Sequence, residues 1–507
     1  MHTKSLWVAT TSKTSFPQLK ENLSTDVAIV GGGITGLTTA ILLLQAGKKV
    51  VVVDNAEIAM GETGYTSAHL TQVLDMRYHT LHSKFGEEQT RLIASSKRAA
   101  IQKIEELSLQ YGISCGFQYV PGVLFSESKA GDDELNRELE AMNLAELSAE
   151  MVQGTALPFE TRKALRIPHQ AQFHPREYLL PLAQKIIQLG GKIYENTRVI
   201  DVQDGTPCVV STERHKIKAA QVLLSANVPV TNWLFLNTKI AAYRTYAIAA
   251  VSNKSIPAGL YWDLQDPYHY IRSYKNLDDE EYLVIGGEDH KTGTVTDTEA
   301  CFKKLEEYAK NHFDIGAIPY KWSGQIIEPV DGLPYIGLNS MSKHVYVSTG
   351  YSGNGLTYGT LGAMIVSDLI LGKANPWAKL YTATRLNVLA SAERFIAENA
   401  GVVGHFVADH LHPSDEHSLD NVKPEEGKVL SIQGHQIAAY RSAGGTLHCV
   451  SAICPHMKGV VHWNKAESSW DCPCHGSRFD KDGKVLNGPA LTDLAPVQFP
   501  RPALASS

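Results

Sequence analysis

The sequence predicts an α/β dinucleotide-binding (Rossmann-like) domain with an inserted mixed or antiparallel-sheet domain, followed by a C-terminal all-β unit. Three observations carry this expectation. DVAIVGGGITGLTTAILLLQAGKKVVVVD, from Asp26 to Asp54, runs strand, glycine turn, helix, strand. Between about Ala241 and Ile326 the chain is rich in aromatic and turn residues, with YAIAAV, YHYIRSY and EYLVIGG as strands. From Lys428 onward it shows short strands and turns without helical periodicity, and there it crowds Cys449, Cys454, Cys472 and Cys474.

Each element follows in order. Residues 1–25 read as a polar leader. DVAIV and KVVVVD are the short β-branched runs found in buried parallel sheets, and Ile34 to Ala46 is long enough for a helix. A polar helical region from about Tyr78 to Tyr111 and an acidic helix over Asp132 to Glu150 are expected to face solvent and to carry no chemistry. REYLLPLAQKIIQLG predicts a helix leading into the strand KIYENTRVIDV, and QVLLSAN predicts a further buried strand. HVYVSTGYSGNGLTYGTLGAMIVSDLILG then returns to strand, glycine turn and helix. The dinucleotide-binding parts are placed at about 26–75, 170–236 and 327–392, and the inserted, substrate-facing parts at about 116–169 and 240–326. A polar, Pro- and Gly-containing stretch, 393–426, reads as a linker whose His405, His410, His412 and His417 are solvated rather than metal-binding. Residues 427–507 form the third unit.

Composition excludes several functions. With 507 residues, 43% hydrophobic and 20% charged, the chain has ample core for two to four domains. Lys plus Arg total 47 against 53 Asp plus Glu, so a net charge of -6 supplies no field for nucleic acid. No stretch approaches the roughly 20 apolar residues of a membrane span. Seven cysteines, an odd number clustered late in the chain, suggest metal chemistry and a reducing, cytoplasmic compartment rather than a disulfide framework.

In the glycine turn Gly31 permits a tight bend, Gly33 lets the backbone approach a pyrophosphate, and Gly36 lets helix and strand pack closely. The helix start supplies free N–H groups and partial positive charge, and Asp54 at the end of the next strand is placed to accept from a ribose. These residues resemble the FAD-binding fingerprint of the D-amino-acid oxidase and glycine oxidase family. The resemblance extends from about Asp26 to Arg385 through GETGYTSAHLT, FHPREYLLPLA, and WSGQIIEPVDGLPYIG leading to TGYSGNGLTYG. It implies non-covalent FAD, with Thr66 and Ser67 among the cofactor-binding residues and Val199 on the adenine-contacting strand. It also implies that Gly353, Gly355, Leu356 and Thr357 set backbone N–H groups near the flavin pyrimidine. Where the family ends a strand with AxG, this chain reads Ser225, Ala226, Asn227.

Another departure bears on substrate. Glycine oxidase-like members carry an arginine shortly after WxG to clamp a carboxylate, whereas Gln325, Ile326 and Ile327 stand here. A simple α-amino acid is therefore disfavoured, and Arg272 is the substitute clamp, against the commoner outcome of a structural arginine. His69 is the candidate base or substrate-orienting group.

CPHMKG at Cys454 and CPCHGSRFD at Cys472 give CxH and CxxH, a donor set for zinc or for a [2Fe-2S] cluster. The second box and its all-β surround resemble the Rieske domain, which implies Cys454, His456, Cys472 and His475 as ligands of a [2Fe-2S] cluster. The family's disulfide partner of Cys474 is replaced by Lys458 and Gly459. Ser477 retains one hydrogen-bond donor toward the cluster, but Phe479 stands where high-potential members carry tyrosine, so a low to intermediate potential is expected.

Together these features predict an FAD-dependent dehydrogenase or oxidase of a small amine or amino-acid derivative that passes electrons singly through the cluster to an external acceptor protein. The alternatives are reverse flow, with the cluster reducing the flavin for a reductase or monooxygenase, and a redox-sensing binding protein.

Overall fold

The computed structural model describes residues 3–228, 236, 238–276, 279–385 and 418–497. Most of the expected linker, with all four of its histidines, lies outside the described residues. The chain divides into two compact units, Met1–His290 with Ala300–Phe395, and Lys291–Glu299 with Ile396–Ser507.

The first unit holds two sheets. One runs in the order Tyr335–Leu338, Val345–Thr349, Lys216–Leu224, Leu23–Val30, Val50–Val53, Lys192–Tyr194, with the Val199–Gln203 and Cys208–Thr212 hairpin joined at Lys216–Leu224. Its central pairings are parallel. All four residues of Val50–Val53 are buried, which is why this strand reads as an unbroken apolar run rather than as an alternation. The Ile34–Gln45 helix packs against both Pro175–Gln188 and Gly355–Ile370, so the glycine turn and the later glycine-rich helix start belong to one layer.

KIYENTRVIDV is two strands rather than one. Between Lys192–Tyr194 and Val199–Gln203 the backbone turns at Asn196, whose φ is 49°, and the buried Glu195 carboxylate accepts from Ile58 N at 2.8 Å and Phe16 N at 2.9 Å. Those N–H groups would otherwise be orphaned.

The second sheet has nine strands, with the path Tyr320–Pro329, Ile240–Val251, Glu281–Lys291, His269–Lys275, Leu260–Trp262, Gln118–Phe125, Lys163–Gln172, His69–Leu70. It is mixed, because Leu260–Trp262 pairs parallel with Gln118–Phe125 while most neighbours pair antiparallel. Its edge strand, His69–Leu70, comes from the GETGYTSAHLT segment, upstream of the parts assigned to the insertion.

Three segments that read as polar turn part of their length inward. Leu6 and Trp7 of the leader are fully buried; Ser5 Oγ donates to Gly64 O at 2.6 Å and Trp7 Nε1 to Thr66 O at 2.6 Å. Leu6, Trp7 and Val8 are too short an apolar run to register as a pattern. The Tyr78 to Tyr111 region divides at Gly86, φ 81°, into Tyr78–Phe85 and Glu87–Gln110, and the longer helix buries Ser96 and Lys97 beside its apolar stripe. The acidic helix, Lys129–Leu144, buries Glu138, whose carboxylate accepts from Tyr78 N and His79 N at 2.8 and 3.1 Å and so caps a helix start.

In the second unit, Glu426–Ile432, His435–Arg441 and Leu447–Ser451 form one antiparallel sheet, and His462–Asn464, Ser469–Asp471, Arg478–Asp480 and Val485–Asn487 another. Trp470, Phe479, Val461 and Ala452 form its core. Lys291–Glu299 belongs to this unit as well. Among the described residues no helix is long and apolar enough to cross a membrane.

Candidate functional site

The glycine turn bears out the close packing expected of it. Gly31 has φ 111°, and a Cβ on Gly36 would stand 1.9 Å from Gly31 O, so helix and turn meet backbone to backbone. At Gly33 a Cβ would meet the Thr63 hydroxyl at 2.9 Å. That hydroxyl accepts from Ile34 N at 3.3 Å, which puts a polar side chain from GETGYTS at the helix start. Thr63 lies inside GETGYTSAHLT, yet one threonine among that motif's three carries no signal of its own in the sequence.

Asp54 supports the turn itself: Gly32 N donates to Oδ2 at 2.7 Å and Ala56 N to Oδ1 at 2.9 Å. Burial pushes its carboxyl up to about 6, against the pull of those N–H groups, and the charge of Glu195 adds to the rise. Ser225 Oγ donates to Val30 O and Gly31 O at 3.0 and 3.2 Å and so belongs to the turn, and Asn227 Nδ2 donates to Gln325 Oε1 at 3.2 Å. Val199 is buried in the hairpin core.

Thr66 Oγ1 accepts from Ala68 N at 3.0 Å, and Ser67 Oγ lies 2.9 Å from His69 Nδ1. Burial, then the charge of Arg272, brings the His69 imidazole down to about 3. It is therefore neutral near pH 7. Its Nε2 is buried without a hydrogen-bond partner among the described residues, and its ring lies 5.3 Å from Trp262 and 5.7 Å from Tyr270.

Arg272 also differs from expectation. It is 1% exposed, donates from Nη1 to Ala68 O at 2.6 Å and to Phe173 O at 3.4 Å, and lies 5.3 Å from the Trp7 ring. The guanidinium is occupied by backbone carbonyls and holds the His69 strand in place. It is not presented to a substrate carboxylate.

In the TGYSGNGLTYG loop Gly353 N donates to Asp75 Oδ2 at 2.7 Å, while a Cβ on Gly355 would meet nothing within 4 Å. This open space is a cradle at the start of the Gly355–Ile370 helix, whose first N–H groups have no intrahelical partner and no capping side chain from Asn354. Leu356 and Thr357 are buried just behind it, and Lys97 Nζ donates to Thr357 Oγ1 and, at 2.7 Å, to Asn354 Oδ1. Neither Asp75 nor Lys97 was singled out by sequence, because both lie in polar stretches without a motif.

In the second unit Cys454 and Cys472 are 1% and 2% exposed, and their thiols lie within hydrogen-bonding reach of each other. The His456 and His475 rings stand 5.0 Å apart at 90°, and His475 Nδ1 is buried without a hydrogen-bond partner among the described residues. One zinc would draw all four donor atoms to within about 4 Å of one another. Among the described residues the trio that converges so closely is a different one, Asp204, Cys208 and His344, where Asp204 caps the Lys343 and His344 N–H groups. The two thiols meet each other, and so do the two imidazole rings. All seven cysteines are free, and a Cβ on Gly459 would fall 2.4 Å from Cys474 Sγ, so the residue in the partner position packs directly on the leftover thiol.

Comparison with known proteins decides the family. The family model "FAD dependent oxidoreductase" (DAO) matches residues 26–369, and that of the Rieske [2Fe-2S] domain matches 415–498. The chain belongs to the DAO family and carries a Rieske domain. This DAO–Rieske protein is 32% identical over 496 residues to YhfW of Bacillus subtilis (strain 168), named as a Rieske 2Fe-2S iron-sulfur protein, with 97% of each chain covered. It is 25% identical to the gamma-glutamylputrescine oxidoreductase of Escherichia coli (strain K12), over 74% of this chain and 90% of the relative. Glycine oxidase from Geobacillus kaustophilus shares the fold of the DAO part, with a TM-score of 0.62 at 20% identity, covering 72% of this chain and 99% of that one.

The DAO domain binds FAD and the Rieske domain binds a [2Fe-2S] cluster. The residues fit both groups. The DAO–Rieske protein offers a helix start beside a glycine turn and an open cradle at Gly355 to the first, and reduced thiols with an unpartnered imidazole nitrogen to the second.

Proposed function

We propose that this DAO–Rieske protein is a dehydrogenase of a small amine or amino-acid derivative, delivering electrons through its cluster to an external one-electron acceptor. The observation that carries the proposal is the union of the two cofactor domains in one chain, a union in keeping with the relative from Bacillus subtilis that matches over 97% of its length. FAD supplies hydride acceptance from a CH–N carbon and release of electrons one at a time.

The residues we assign to FAD are Gly31, Gly33 and Gly36 at the pyrophosphate, Asp54 at the ribose, Val199 at adenine, and Thr66, Ser67, Gly353, Gly355, Leu356 and Thr357 around the ring. Cys454, Cys472, His456 and His475 are assigned to the cluster, the cysteines holding one iron and the histidines the other. His69, neutral at pH 7, orients the substrate rather than removing its proton.

An amine is favoured over an α-amino acid on two grounds. Gln325, Ile326 and Ile327 occupy the segment where glycine oxidase-like chains carry a clamp arginine, and Arg272 is bound to Ala68 O. Carboxylates hold the 351–355 loop instead: Asp75 accepts from Gly353 N at 2.7 Å and Glu328 from Ser352 Oγ at 3.2 Å. The two carboxylates beside this loop attract an ammonium and repel a carboxylate. The name of the Escherichia coli relative, a gamma-glutamylputrescine oxidoreductase, is in keeping with this class. Seven free thiols suit a reducing, cytoplasmic setting.

The test is anaerobic mixing with a panel of primary and secondary amines and α-amino acids. An amine should bleach the flavin without added reductant and then develop the electron paramagnetic resonance signal of the reduced cluster. Bleaching only after a reductase is supplied would point to reverse flow.

A further inference from the structure

Lys97 lies in the Glu87–Gln110 helix and its side chain is 0% exposed. Its Nζ donates to Asn354 Oδ1 at 2.7 Å and to Thr357 Oγ1, and stands 3.9 Å from the centre of the Tyr358 ring. On the opposite side Asn354 Nδ2 reaches Asp75 Oδ2 at 3.4 Å, the same oxygen that accepts from Gly353 N. Asn354 thus stands between a buried amine and an exposed carboxylate at the N-cap of the Gly355–Ile370 helix.

A buried lysine is a costly way to fill space, since a leucine or methionine would pack there without desolvation. Burial pushes the Lys97 ammonium well below the usual lysine range and Asp75 draws it back. Two side-chain oxygens and an aromatic face favour the ammonium form. The neighbouring phenols, Tyr358, Tyr78 and Tyr381, are raised by burial and stay neutral.

We propose that Lys97 is a positioning residue for the flavin: it fixes Asn354 and Thr357 from behind and favours negative charge on the ring that the helix start faces. The inference rests on the assignment of Gly353, Gly355, Leu356 and Thr357 to the flavin. Asp75, bound to the same loop from the exposed side, opposes Lys97. Its effect is the smaller because solvent screens it, whereas the field of Lys97 acts through protein.

The test is sulfite titration of the full-length, FAD-loaded protein. Sulfite adds reversibly to oxidised flavin and leaves negative charge on the ring, so it reports on the flavin site whatever the substrate proves to be. Lys97→Met should keep FAD and the cluster absorbance while binding sulfite roughly tenfold more weakly, with a lower flavin potential, and Lys97→Arg should recover part of the loss. Asp75→Asn should bind sulfite more tightly than the parent. Sulfite affinity of Lys97→Met within about twofold of the parent, where tenfold marks 1.4 kcal/mol, would overturn the proposal. Should Lys97→Met fail to fold or to retain FAD, Thr357→Val and Asp75→Asn decide it: weaker and tighter sulfite binding respectively uphold the role, and unchanged binding in either sinks it. Failure of every amine to bleach the flavin would reject the substrate class and leave this result standing.

Discussion

His462 Nδ1 donates a hydrogen bond to the backbone carbonyl of Gly293 at 2.8 Å. Gly293 lies in Lys291–Glu299, so a segment more than a hundred positions upstream of the cluster boxes is an integral part of the second unit. Ala466 N donates to Thr298 Oγ1 at 3.1 Å, and Lys465 pairs with Glu299 at 2.7 Å, the latter exposed and of little weight. Gly293 has φ 76°, and a Cβ there would press on Pro473 N at 2.8 Å and Asp471 O at 2.9 Å.

Gly293→Ala should therefore destabilise the second unit by about 1–3 kcal/mol through strain and overlap, while FAD content stays at the parent level. His462→Ala should lose about 0.5–1.5 kcal/mol. Denaturant titration followed at the cluster's visible absorbance checks both. The same contacts imply that a fragment holding only residues 427–507 loses its cluster at lower denaturant than the full chain does.

The three glycines of the turn should not be equally sensitive. Gly36→Ala drives a Cβ onto Gly31 O, a backbone atom that cannot move without breaking the turn, and should abolish FAD retention. Gly33→Ala meets the side chain of Thr63, which can rotate, and should retain a measurable fraction of FAD. The flavin-to-protein ratio after purification separates them, and equal retention would contradict the packing argument.

Phe479 is fully buried in the same core as Cys454 and Cys472. Phe479→Tyr adds an O–H donor, and a hydrogen bond to a ligand sulfur stabilises the reduced cluster, so its potential should rise. A redox titration followed by electron paramagnetic resonance tests the direction. An unchanged potential would mean that this face of Phe479 is turned from the sulfurs.

His174 Nδ1 accepts from Glu177 N at 3.2 Å and caps the Pro175–Gln188 helix, a bond available only to the unprotonated nitrogen. Burial, then Arg272, brings its imidazole down from 6.5 to about 3. Between those values the unfolded chain takes up a proton that the folded one refuses, so stability is complete above about pH 6.5 and falls as pH drops. Relative to His174→Asn, which keeps a capping acceptor without the titration, the parent should lose about 2 kcal/mol between pH 6.5 and 5. Asp54 and Asp289 titrate alike in both proteins and cancel from the difference. Parallel urea midpoints across that range would refute the assignment.

What the sequence by itself determined were the features written in neighbouring residues. Gly31, Gly33 and Gly36 follow a β-branched strand and open a helix, so βαβ geometry is local and legible; Cys454 with His456, and Cys472 with His475, are close enough in sequence to stand out as two metal-donor boxes. Only the tertiary structure decided the rest. Lys97 meets Asn354 across 257 positions, and Arg272 meets Ala68 across 204, so packing alone turned a residue of a polar helix toward the TGYSGNGLTYG loop and withdrew an apparent substrate clamp into the fold. Glu195 and Gly293 belong with these, since a side chain or backbone group whose partner lies far along the chain leaves no periodicity or spacing at its own position. Its environment, and with it its charge, is set by which surfaces the fold brings together.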